Sequence, residues 1–326
     1  MPVPTRSWLV TAVLAAAVTS CGTTSPAPAA SASITVEDCQ GKDITFAEAP
    51  KRAVTIDGWA AQAMGRLGLA DRIVGTGFTG PLRAEHEPLR GQLAAVPVIT
   101  EKLPSTEAVA ALAPDVVLTG FSAFGGAPGT PKDADLATMK APGVAACLNA
   151  EAGPMTDLSA TYDYLGRIGR VFQVTERADQ VVRELKARED AVRAKASGPR
   201  PRVLALADNP VAGQPVKALG GATPANALIR LAGGENVFDD VTSMHADVSP
   251  EKIAALDPEV IWVVTDFSFA RTTGRQLVDQ ISANPLLAAT AAVRDQRILA
   301  TSQYAVGFPT PLNIDGLEQL AAGLRR

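Results

Sequence analysis

The sequence predicts an α/β protein: two similar lobes with mostly parallel sheets, joined by one long helix, with a ligand cleft between the lobes. Three observations predict it. First, Ser105-Thr-Glu-Ala-Val-Ala-Ala-Leu-Ala-Pro-Asp-Val-Val-Leu118 and Ser249-Pro-Glu-Lys-Ile-Ala-Ala-Leu-Asp-Pro-Glu-Val-Ile-Trp262 align without a gap, sharing Ser, Glu, Ala-Ala-Leu, Pro and Val. Each copy reads as an N-cap Ser, a short helix, a Pro that ends it and a buried apolar strand. Second, the stretch between the copies from Thr175 to about Ala196 holds no Gly or Pro and stops at Gly198-Pro199-Arg200-Pro201. Its apolar residues Ala178, Val181, Val182, Leu185 and Val192 form one narrow helical stripe among mixed charges, with Thr175 as N-cap and Glu176 and Asp179 in the first turn. Such a helix would run roughly 33 Å, long enough to cross a small domain. Third, strand and helix patterns alternate on both sides of it.

Taken in order, Ile34 to Phe46 reads as an edge hairpin turning near Gln40-Gly41, Pro50 to Ile56 as a strand, and Trp59 to Leu67 as a helix closed by Gly68. Arg72 to Thr76 is the next strand, followed by the first repeat copy and helices at Ala134 to Lys140 and Asp157 to Phe172. Beyond the long helix, Pro201 to Ala207 is a strand and Ala225 to Ala232 a helix capped by Gly233-Gly234. The second copy follows, then a helix at Gln276 to Ile281, a strand at Arg297 to Ala300 and a terminal helix at Asn313 to Leu324. The divisions are a leader over 1–20, a tether over 21–33, an N-terminal lobe over 34–171, a linker helix over 172–198 and a C-terminal lobe over 199–326.

Length suits two domains, and a hydrophobic share of 47% is ample for two cores. A formal charge of −4 with no basic tract speaks against a nucleic-acid partner. At the start, Arg6 and the apolar run Trp8 to Val18 form a leader too short to span a bilayer. Val18-Thr19-Ser20-Cys21 resembles a bacterial lipobox, which makes Cys21 the lipidated first residue of the mature chain; an ordinary signal peptide with an incidental Cys is the other reading. Gly22 to Ser33 is small and polar, as a tether should be. The two cysteines that remain, Cys39 and Cys147, are either a disulfide closing a long loop in an oxidising compartment or two separate buried thiols.

In open α/β sheets ligands sit beyond the C-terminal strand ends. The loops there concentrate the rings of a chain with only 5% aromatic residues. Trp59, Phe78, Arg83, Phe121, Phe124, Phe267, Phe269, Arg271 and Tyr304 are the candidate ligand-binding residues. A guanidinium beside aromatic rings can pair with an anionic ligand and stack on its flat parts. Gly75-Thr-Gly-Phe-Thr-Gly80 matches the dinucleotide spacing, yet an exported protein would meet little dinucleotide. His86 and His245, the only histidines, are too few for capture of a free metal ion. They read as polar loop residues or as ligands to one metal complex across the cleft. There is no G-x-S-x-G and no H-E-x-x-H, and nothing else specific points to an enzyme. Glu107 and Glu251 hold the same position in the two repeats, serving the helix dipole or presenting matched anionic knobs to one partner.

The lipobox and tether, the Pro50-Lys-Arg-Ala-Val-Thr-Ile start, Leu67-Gly-Leu-Ala-Asp-Arg-Ile-Val-Gly75, both repeat copies, Ala232-Gly-Gly-Glu-Asn-Val-Phe238 and Asn284-Pro-Leu-Leu together resemble the periplasmic-binding family serving ferric-siderophore, cobalamin and haem ABC importers. The similarity covers 34–326. It implies a shallow cleft with limited hinge closure, and a monomer lipid-anchored at the outer face of the cytoplasmic membrane. It further implies no cofactor and no resident metal, and a metal-chelate ligand, a ferric siderophore first. Glu107 and Glu251 would dock onto arginines of an ABC permease that works with its ATPase. Haem or cobalamin import is the alternative within the family, and a signalling or structural lipoprotein of the same fold the alternative outside transport.

Overall fold

The computed structural model of the chain describes residues 1–3, 33–148 and 153–325. Cys21 and nearly all of the leader and tether lie outside the described residues. Ser33–Arg326 form one compact unit. Among the described residues no helix is long and apolar enough to cross a membrane.

The first half opens with the hairpin β1 (Ile34–Glu37) and β2 (Asp43–Phe46), followed by β3 (Ala53–Thr55), α1 (Gly58–Arg66), β4 (Ile73–Thr76) and α2 (Leu89–Leu93). Next come α3 (Thr106–Ala110), β5 (Val116–Thr119), α4 (Asp133–Met139), β6 (Gly143–Ala145) and α5 (Ser159–Val171). The long helix α6 spans Thr175–Arg193. The second half holds β7 (Arg202–Leu206), β8 (Val216–Leu219), α7 (Pro224–Leu231), β9 (Glu235–Asn236), β10 (His245–Val248) and α8 (Pro250–Leu256). It ends with β11 (Val260–Thr265), α9 (Gly274–Ser282), α10 (Ala291–Arg294), β12 (Ile298–Ser302), α11 (Gln303–Val306) and α12 (Asn313–Leu324).

Strands β4-β3-β5-β6 form a wholly parallel sheet. The second sheet runs β10-β8-β7-β11-β12, with β9 also on β7. It is parallel through β9, β7, β11 and β12 and antiparallel at β8 and β10. The short strands β8 and β10, with Lys217, His245 and Asp247 breaking their apolar run, carry no clear strand pattern in the sequence. Their own backbone ladder pairs them, and along it Lys217 stands opposite Asp247 with 2.8 Å between Nζ and carboxylate.

In both repeat copies the Ser hydroxyl caps the helix: Ser105 Oγ accepts from Ala108 N and Ser249 Oγ from Lys252 N, each at 3.2 Å. Helix α6 buries Ala178, Val181, Leu185 and Val192, and also Glu189, four residues beyond Leu185 on the same stripe. That carboxylate is tolerated because the Tyr162 hydroxyl donates to it at 2.5 Å. Thr175 is the first helical residue and caps nothing; Val174 holds the cap position, its N–H closing α5 on Gly169 O. The helix also ends at Arg193 rather than Ala196, because Lys195 and Ala196 donate to carbonyls only three residues back, a tightened last turn.

Both sheets share one continuous core with α1, α5, α6, α7 and α12, in which Met64, Leu165, Leu185, Leu228, Trp262 and Leu317 are buried together. Smaller clusters cover each sheet's outer face. A buried polar seam crosses the middle of the molecule. Gln62 of α1 donates to Pro81 O at 2.6 Å and accepts from Thr310 Oγ1 at 2.7 Å. Asn313 accepts from Thr161 Oγ1 of α5 at 2.7 Å and from Thr310 N at 3.0 Å, and donates to Ala305 O and Phe308 O. The segment from β12 to α12 is thereby stitched onto first-half helices. On the surface above it, Arg188 of α6 reaches Asp315 and Glu318 of α12.

An isolated two-stranded hairpin is marginal in water. Here β1–β2 buries Val36 and Phe46 in the main core and is tied by the Cys39–Cys147 disulfide, with Cα atoms 5.0 Å apart. Replacing both cysteines by Ser should lower unfolding stability by about 2–4 kcal/mol in denaturant titration. Thiol labelling of the denatured, unreduced chain should find neither cysteine free. Asn313→Ala should cost about 3 kcal/mol or more by the same titration, because it strands several buried polar groups at once; a loss under about 1 kcal/mol would show that the seam is not what holds the halves together.

Candidate functional site

In the first sheet β4 lies on one side of β3 and β5 on the other. That reversal of strand order opens a crevice beyond the C-terminal ends of β3 and β5. Asp57 occupies it, fully buried, as the N-cap of α1, accepting from Ala60 N at 3.0 Å. The same carboxylate takes Thr119 Oγ1 at 2.7 Å and Gly120 N at 2.9 Å, so it clamps the end of β5 to the start of α1. Burial pushes its pKa up, and these donors pull it back. Position 120 must be Gly, since a Cβ there would meet Trp59 Cβ at 2.6 Å and Asp57 Oδ1 at 3.0 Å. The local signal for Asp57 is Asp-Gly after a strand and before an Ala-rich helix, which marks an N-cap.

This clamp fixes Trp59, only 1% exposed, as the centre of an aromatic floor. Phe78, Phe121 and Phe308 surround it at centroid distances of 5.4, 5.6 and 4.4 Å, and Tyr304 stands behind at 6.3 Å. The indole N–H donates to Tyr304 O at 3.1 Å. From the second half Phe267 and Phe269 stack at 4.9 Å, with the His245 ring edge-on to both. Between the two clusters lies a cleft of about 410 Å³, lined also by Ile56, Phe124, Ser122, Ser268 and Gln303. A volume of this order suits a small molecule held on a largely apolar surface.

Six of the nine predicted ligand contacts therefore converge on one cleft: Trp59, Phe78, Phe121, Phe124, Phe267 and Phe269. Tyr304 packs on Trp59 and Phe78 without lining it. The two arginines do not line it, which corrects the sequence expectation. Arg83 points outward and faces Glu101 at 3.4 Å. Arg271 is held by Asp208 at 3.3 Å and donates to Asn209 O. In each case the loop lies where the sequence places it, and a carboxylate distant in sequence takes the guanidinium. Phe308, left off the predicted set, packs directly on Trp59 because the buried seam folds residues 308–313 back over α1.

The histidines do not meet. His86 is exposed and 3.4 Å from Asp315, whereas His245 lines the cleft and its Nε2 is buried without a partner. Burial, with Lys217 nearby, lowers the His245 pKa, so the ring is neutral near pH 7. Among the described residues no group of three or more His, Cys, Asp or Glu could hold a metal ion. The Gly75–Gly80 stretch leads into a short 3-10 turn, Gly80–Ala84, and not into a helix that could bind a pyrophosphate. Glu107 and Glu251 are both exposed in the first turns of α3 and α8. The Glu107 carboxyl is held below the usual range by its own backbone N–H and the Ser105 hydroxyl. A larger surface groove of about 770 Å³, lined by Arg193, Lys195, Arg200 and Arg230, lies at the far end of α6 and brings no aromatic ring together.

Comparison with known proteins agrees with this geometry. A family model described as periplasmic binding protein matches residues 54–305. A cobalamin-binding protein of Halobacterium salinarum is 29% identical over 294 residues, which is 88% of this chain and 70% of that protein. The structure of an ABC-type Fe3+-hydroxamate transport protein from Saccharomonospora viridis superposes with a TM-score of 0.75 at 26% identity, covering 90% of this chain and 99% of its own. The fold is shared more distantly by a periplasmic heme-binding protein of Roseiflexus, at a TM-score of 0.64 and 21% identity over 84% of this chain and 97% of its own. The clamped crevice, the aromatic cleft between two sheets and the family match over most of its length make this chain a member of the periplasmic binding protein family.

Proposed function

We propose that this chain is the extracytoplasmic binding component of an ABC importer that captures a ferric siderophore and delivers it to a permease. The observation that carries the reading is the convergence of aromatic clusters from both halves on one cleft. Phe78, Phe121, Phe124, Phe267 and Phe269 would contact the ligand, with buried Trp59 and Tyr304 supporting the floor. The likeness to an Fe3+-hydroxamate transport protein supports iron. The cobalamin-binding relative supports a corrinoid as the second reading, and the aromatic floor suits either. In this reading the protein works as a monomer, without enzymatic activity, anchored by lipid at Cys21. A permease and ATPase gene pair beside its own would favour transport over a signalling role.

Glu107 and Glu251 would dock on the permease. Both are exposed, at matched places in the two repeats, and away from the cleft lining. Exposed charges of this kind act on encounter and register, and salt weakens them. The double variant Glu107→Gln with Glu251→Gln should leave ligand affinity within twofold while impairing uptake more than either single change. Wild-type uptake by the double variant would reduce both residues to helix-dipole partners. In the cleft, Phe121→Ala and Phe267→Ala should each weaken binding of the preferred chelate about tenfold, the equivalent of about 1.4 kcal/mol. Undiminished affinity in both variants, measured by equilibrium dialysis, would move the site elsewhere.

A further inference from the structure

The side chains lining the cleft carry aromatic rings, methyl groups, hydroxyls, one amide and one imidazole, and among them is no Lys, Arg, Asp or Glu. Three cations on the surrounding segments have carboxylate partners. Arg83 faces Glu101, Arg271 is held by Asp208 and its neighbouring carbonyl, and Lys217 pairs with Asp247. Arg83 lies close enough to Tyr304, and Lys217 to His245, for their fields to reach the two rings. Two carboxylates have no cation among these pairs. Asp266 accepts from Thr273 and Thr265 hydroxyls, and Asp57 lies buried beneath the floor.

The lining itself therefore offers an anion no side-chain cation. An anion entering an aromatic cleft sheds water without gaining a counter-ion, and in a site of low polarity that penalty is large. An uncharged ligand pays only for its polar groups, which Ser122, Ser268 and the unpartnered His245 can bond. Given the chelate-binding reading on which it rests, we propose that the cleft selects metal chelates without net negative charge. Uncharged ferric trihydroxamates and corrinoids share this chemistry; tris-catecholates, and haem with its two carboxylates, do not. The rim pairs favour the choice, since each sets a carboxylate beside a cation that an anion would otherwise meet alone.

The test is equilibrium dialysis of the full chain against four probes: ferrichrome, an uncharged ferric trihydroxamate; cyanocobalamin; trianionic ferric enterobactin; and haemin. Ferrichrome or cyanocobalamin should bind at least tenfold more tightly than either anionic probe, and whichever of the two wins identifies the source. An anionic probe bound as tightly as the better uncharged one would overturn the inference while leaving the chelate site standing. Binding of none of the four would overturn the chelate reading itself, and this inference with it. The pair Glu101→Gln with Asp208→Asn uncovers both guanidinium groups, and should narrow the preference for the uncharged probe at least threefold. Should that protein fold poorly, Ser268→Arg adds an unpaired cation at an exposed lining position and should narrow it likewise. An unchanged preference in a folded variant would show that charge at the rim does not set selectivity.

Discussion

The structure depends on a buried polar seam. Gln62, Thr310, Asn313 and Thr161 satisfy one another at distances of 2.7 to 3.0 Å, and together they hold the residues after β12 against α1 and α5. An apolar contact at the same place would bind as firmly but could slide. Directional bonds between buried amides and hydroxyls tolerate little displacement, and each left unmade costs about 1–3 kcal/mol. The seam therefore fixes where Tyr304 and Phe308 stand relative to Trp59, and so fixes one wall of the cleft. With a core continuous across both sheets, it leaves little room for one half to rotate against the other.

Much of this was legible in the sequence. The repeat around Glu107 and Glu251 places the two capped helices and the buried strands behind them. The stripe on α6 gives its buried face, and even buried Glu189 falls on that register. The two cysteines left after Cys21 pair as one of the two sequence readings holds. What stayed hidden depends on partners far away in the chain. Whether Arg83 and Arg271 face a ligand is decided by Glu101 and Asp208, and no local pattern around either arginine announces that. Likewise β8 and β10 are strands chiefly because each has the other, and α11 looks like loop until the Ser302 hydroxyl caps it.

Those hidden pairings also change the chemistry. Arginines beside phenylalanines suggest a trap for anions; arginines already matched by carboxylates leave an apolar surface with a few uncharged polar groups. In the proposed reading, a binding protein that feeds a permease gains from separating these tasks. In the proposed division, exposed acidic residues at α3 and α8 face the transporter and a charge-free cleft faces the ligand. The two kinds of recognition then do not interfere, and salt acts on docking but hardly on capture.

In the proposed reading, ligand enters between the Trp59 floor and Phe267 and not at the larger basic groove beside α6. Hydrogen–deuterium exchange of the full chain, with and without the tightest-binding probe, tests it directly. Exchange should slow over residues 57–60, 119–127 and 265–269, with residues 193–201 unchanged. Protection confined to 193–201, with the aromatic loops exchanging as in the free protein, would contradict it.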